Sequence, residues 1–135
     1  VLRKSNDVWD RENGHAPGLC LLSSSDKATT VFNAEDITRA WDELGPYMMN
    51  DVLGYAAWNN GETGDRGAAN ISFVKTAQEL REENRTHRIL TPDEAIQWVK
   101  GGAPLPLHPI IGGTPPEIAW RYLEIVAAKV MPAFR

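Results

Sequence analysis

The pattern Thr-Pro-x-Glu occurs twice in this chain, at Thr91-Pro92-Asp93-Glu94 and at Thr114-Pro115-Pro116-Glu117, 23 residues apart. Each copy follows a short apolar run, and each reads as the abrupt start of a helix. The threonine caps the first turn, proline occupies the first helical position where no N–H is needed, and the glutamate reaches back to the cap. Such reciprocal bonds contribute about 1 kcal/mol each. A strand-then-helix unit repeating at this spacing suits parallel strands joined by helical crossovers.

The rest of the chain is consistent with that plan. Residues 1–13 read as the end of a helix, with Gly14 as its C-cap and Pro17 beyond it. Leu19-Cys20-Leu21-Leu22 is a short apolar run, and Thr29-Thr30-Val31-Phe32 has the composition of a strand. Ile37, Trp41, Leu44, Met48, Val52 and Tyr55 mark one face of a helix, with Asn33 or Asp36 as its cap. Gly45-Pro46 predicts a break there, with a second helix opening at Pro46. Residues 59–75 form a polar loop insertion. Residues 76–83 read as a short polar helix begun by Thr76 and Glu79. His87-Arg88-Ile89-Leu90 is a strand, the helix after Thr91 stops at Gly101-Gly102, and Leu105 to Ile111 is the next strand. Ile118, Tyr122, Ile125, Val126 and Val130 pattern the last helix. The expectation is one α/β domain over residues 1–135 with a parallel sheet, residues 1–28 being the most loosely assigned.

Composition narrows the function classes. The chain has 135 residues and a net charge of -4, with basic residues dispersed. That argues against nucleic acid and anionic membrane surfaces as partners. No run approaches the length of a membrane span, and no leader pattern is visible. A single cysteine, Cys20, leaves no internal disulfide and fits a reducing, cytoplasmic setting. His15, His87 and His108 are too far apart in sequence to suggest a metal site.

In a parallel α/β sheet the helix starts gather at the rim where strands end. Bare amides and the positive helix dipole favour an anion there. Gly112 and Gly113 let backbone approach a ligand closely. A phosphate held by Gly112, Gly113, Thr114 and Thr91 is the resulting candidate, although Gly-Gly before a helix is more often just a turn. His108, in an apolar run flanked by prolines, reads as a core histidine bonded to backbone. Trp41, Trp58, Trp98 and Trp120 read as core packing.

Three segments also carry a resemblance. The run "VFNAEDITRAWDELGPYMMNDVLGYAAW", the segment "HRILTPDEAI" and the ending "LPLHPIIGGTPPEIAWRYLEIVAAKVMPAFR" resemble the C-terminal part of bacterial luciferase-like, flavin-dependent monooxygenases over about residues 29–135. The resemblance implies the C-terminal portion of a (β/α)8 barrel, incomplete at this length because a whole barrel needs about 250 residues. It implies FMN or a deazaflavin as cofactor and no metal, and a small organic substrate. Thr91, Gly112, Gly113 and Thr114 match the phosphate loops, and His108, which matches a histidine of the motif, is counted with them as cofactor-binding, with no catalytic role assigned. The missing N-terminal barrel half, or a second copy in a homodimer, is the implied partner. Two other readings stand beside it: a non-catalytic α/β module for dimerisation or small-ligand binding, and a small enzyme of another class using His108 with Glu117.

Overall fold

The computed structural model describes residues 11–14, 28–58 and 72–134. His15, the apolar run around Cys20 and most of the expected 59–75 loop lie outside the described residues. Gly14 closes a turn with φ of +74°, its N–H bonded to the Arg11 carbonyl, as expected of a glycine ending a helix.

Two short strands form a parallel pair, β1 (Thr30–Asn33) and β2 (His87–Leu90), in the register Phe32↔Ile89. A helix follows each strand within a few residues. The first is α1 (Ile37–Trp58), and α2 (Ala77–Glu83) precedes β2. The helix after β2 is α3 (Pro92–Lys100), and α4 (Pro116–Ile125) runs on through Val126–Val130 and Met131–Phe134 in wider and then tighter turns. The mixed α/β class and the parallel strand pair agree with the sequence expectation.

Strand alternation divides the core. Phe32 and Ile89 face α1, where Trp41, Leu44, Met48 and Val52 are buried together with Leu80 of α2 and Tyr122 of α4. Val31 and Leu90 face the other way, onto Ala95 of α3 and Val126 and Val130 of the last helix. The helical period read from Ile37 to Val52 is thus the buried face of α1. Asp36 is its cap: the carboxylate accepts the Arg39 N–H at 3.0 Å.

Four expectations are corrected. First, α1 is continuous over 22 residues with Pro46 inside it. Pro46 and Asp42 are both on the exposed face, so the carbonyl that proline leaves without a donor meets water. Gly45 serves packing instead of a break: a Cβ there would lie 3.0 Å from the Ala77 Cβ of α2.

Second, Leu105–Ile111 is not a strand. Pro104, Pro106 and Pro109 remove ladder donors, and what remains is one rung, from the Val31 N–H to the Pro106 carbonyl at 2.8 Å. This segment flanks β1 on the side away from β2. In a barrel of consecutive units it would lie beside β2.

Third, the second capping box does not form. Pro116 bars the residue before it from helical backbone angles, so Pro115 stays extended (φ -57°, ψ 140°) and the helix starts one residue late. Glu117 is then out of register with Thr114, whose hydroxyl donates back to the Ile111 carbonyl at 2.7 Å. Fourth, Trp120 is 63% exposed and not in the core.

Candidate functional site

The order of contacts along α1 fixes the height of each predicted site residue. α1 leaves the carboxyl end of β1 and runs back along the sheet. Its first turns meet the end of the last helix, since Lys129 pairs with Glu35 just before α1 begins. Its middle meets the start of that helix, through Glu43 with Arg121 and Tyr122. Its far half meets the Ile111–Gly113 turn, where the Asn50 amide donates to the Gly112 carbonyl at 2.9 Å. At the next residue, Asp51 bonds His87, the first residue of β2.

Gly112, Gly113 and Thr114 therefore lie toward the end of the sheet where the strands begin. Thr91 follows Leu90 at the opposite, carboxyl end. The common rim expected for these residues is not formed.

Their polar groups are also committed internally. Thr91 makes the full box: Glu94 Oε2 accepts from the Thr91 N–H at 2.7 Å and from its hydroxyl at 2.9 Å, while the Glu94 N–H donates to the Thr91 oxygen. The anion at that helix start is the chain's own carboxylate. At α4, Pro115 and Pro116 remove two of the amides a phosphate would need. Gly112 serves a close approach to protein, not to ligand: a Cβ on it would lie 1.8 Å from the Tyr47 carbonyl oxygen. His108 is exposed, at 3.5 Å from the Thr30 hydroxyl through Nδ1, so it is neither buried nor bonded as a core histidine. These residues do not fit a phosphate cradle.

Two other constellations do assemble, and neither was read from sequence. At the start of the strands, the Thr86 hydroxyl lies 2.8 Å from His87 Nδ1, and His87 Nε2 lies 3.1 Å from Asp51 Oδ2. Hydroxyl, imidazole and carboxylate in series are the parts of a proton relay. Here Thr86 and His87 are fully buried, so no substrate reaches the hydroxyl. Only Asp51 meets solvent, along an open groove of about 440 Å³ that it lines with Asn50, Gly54, Tyr55 and Gly112. The series acts as a fixed polar strut between α1 and β2.

At the carboxyl end of β1, Asn33 is fully buried, and neither its amide oxygen nor its nitrogen has a hydrogen-bond partner among the described residues. It borders a narrow apolar cleft between β1 and α4, whose interior volume of about 10 Å³ is that of a single water. On the α1 side of α4, the Tyr122 hydroxyl donates to Glu43 at 2.7 Å and Arg121 pairs with the same carboxylate. These bonds, Tyr122's first and Arg121's second, hold the Glu43 carboxyl below its ordinary range. Burial, with the carboxylate next in effect, pushes the Tyr122 phenol up. Sequence reading missed these groups because each joins residues dozens of positions apart.

Among the described residues no three His, Cys, Asp or Glu side chains converge as metal ligands, and no helix is long and apolar enough to cross a membrane. Compared with known proteins, the chain matches no family model, no curated protein and no solved structure.

Proposed function

We propose that this chain is the C-terminal part of a luciferase-like, flavin-dependent oxidoreductase, contributing strand–helix units to a (β/α)8 barrel that works in the cytoplasm on a small organic substrate. The observation that carries the reading is the parallel pair β1–β2, each strand passing at its carboxyl end into a helix after a short turn. That is the unit from which such barrels are assembled. The sequence resemblance over residues 29–135 supports the particular family. FMN or a deazaflavin would supply the redox chemistry when bound. This chain's share is scaffold, because Thr91, Gly112 and Thr114 are engaged within the protein.

A second reading has a specific observation in its favour. The Leu105–Leu107 segment flanks β1 on the side away from β2, an order that suits a self-contained, non-catalytic α/β module better than a run of barrel units. The two readings part on flavin binding by the product of the complete reading frame. Saturable quenching of FMN or deazaflavin fluorescence, with flavin-dependent oxidation of a substrate panel, supports the oxidoreductase. A product that has no further strand–helix units and leaves flavin fluorescence unchanged refutes it and leaves the module.

A further inference from the structure

We propose that the cleft between β1 and α4 is a binding site for one internal water molecule, held by the Asn33 carboxamide and by the outer backbone edge of β1. Asn33 is 0% exposed, and its amide oxygen and nitrogen both lack a hydrogen-bond partner among the described residues. Strand alternation sets its side chain on the same face as Val31, and Val31, Asn33 and Val126 all line the cleft. A buried carboxamide that bonds nothing forfeits the hydrogen bonds it makes to solvent in the unfolded chain. Buried polar side chains of native proteins are therefore found with a partner, and where no protein group is near that partner is an ordered water.

The dimensions and the lining point to the ligand. An interior of about 10 Å³ is at the lower bound for one water and excludes any larger molecule. Leu107, Ala119, Leu123 and Val126 wall it with hydrocarbon, which suits a neutral ligand and not an ion. A buried water needs about two to four polar partners. The Asn33 side chain supplies an acceptor and a donor. Its backbone supplies another donor. The Val31 N–H points away from β2, to the Pro106 carbonyl at 2.8 Å, and the Asn33 N–H, two positions on, points to the same side. The segment beyond Pro106 does not continue the ladder to meet it, because the His108 carbonyl accepts the Ile111 N–H at 3.2 Å. A water in the cleft takes the place of that missing rung at the carboxyl end of β1.

Nuclear Overhauser spectroscopy of the isotope-labelled full chain tests this. The methyl protons of Val31 and Val126 do not exchange with solvent, so a cross-peak from them to water reports proximity. Such cross-peaks are expected, with the sign of a water that tumbles with the protein. Oxygen-17 relaxation dispersion counts the long-lived waters of the same sample. Asn33→Leu, which replaces the carboxamide by an apolar side chain of similar size, is expected to lower that count by one and to abolish the methyl cross-peaks. Should that variant misfold, the wild-type cross-peaks decide alone. Wild-type Val31 and Val126 methyls without a cross-peak to water, or an unchanged count in a folded Asn33→Leu chain, overturn the proposal.

Discussion

Replacing Gly112 by alanine separates two costs that usually arrive together. The backbone there has φ of +57°, a left-handed conformation that costs a non-glycine residue about 1–2 kcal/mol. The second cost is steric. The added Cβ would stand 1.8 Å from the Tyr47 oxygen and 2.7 Å from its carbonyl carbon, and both belong to the backbone of α1. No side-chain rotation relieves such a contact, so the Ile111–Gly113 turn must lift off the helix. Lifting breaks the Asn50–Gly112 hydrogen bond, worth about 1 kcal/mol. It also exposes part of Ile111, which is 8% exposed in the core, at a cost of about 1–2 kcal/mol. The expected loss is about 3–5 kcal/mol in all. Gly113→Ala is the control: its φ is +84°, but a Cβ there meets nothing within 4 Å, so it carries the backbone cost alone. Urea unfolding followed by circular dichroism measures both. With a slope of about 2 kcal/mol per molar, the Gly112 variant should unfold roughly 1.5–2.5 M earlier than wild type, and the Gly113 variant less than 1 M earlier. Equal losses at the two positions would refute the packing argument.

Three further outcomes follow from the same structure. Pro46→Ala should stabilise the chain by about 1–3 kcal/mol, since it restores a donor inside a continuous, exposed helix segment; a lower melting temperature would mean that Pro46 makes a contact that matters. Asp51→Ala should cost about 1–3 kcal/mol by stripping buried His87 of its Nε2 partner, and NMR spectra at a single pH should find the imidazole resonances displaced, whereas unchanged resonances contradict the strut. Glu43 has a depressed folded-state pKa, so its contribution is present above the unfolded value near 4.5 and is lost as pH falls through the folded one. The melting-temperature gap between wild type and Glu43→Gln should therefore close with acidification from pH 5 downward. Tyr122 is shifted the opposite way, and its ionisation should begin to erode stability only above about pH 10, where the unfolded chain's phenols titrate.

What could be read in the sequence was what neighbours decide. The box at Thr91, Pro92 and Glu94 formed as expected, because its bonds close within a single turn. The near-copy at Thr114 failed through one substitution in the pattern, Pro116 for Asp93, whose effect falls on the residue before it. The strand at His87–Leu90 was legible from its composition. The strand expected at Leu105–Ile111 was not formed, because three prolines outweighed apolar content. Gly45-Pro46 looked like punctuation only while nothing showed that the proline faced water and that the glycine touched α2. The candidate site was harder still. The Thr86–His87–Asp51 series spans 36 positions between its last two members, and the isolation of Asn33 depends on everything packed around it. No local pattern encodes either.

The proline-bearing segment beside β1 has one more consequence. Pro106 turns its carbonyl toward β1, so the donor that its ring removes is one that would have faced β1. The segment can therefore accept from β1 at this position but cannot answer with a bond of its own, and the contact stays one-sided where a ladder would be reciprocal. A sheet that grows past β1 in this direction has to cross a junction held by acceptance alone.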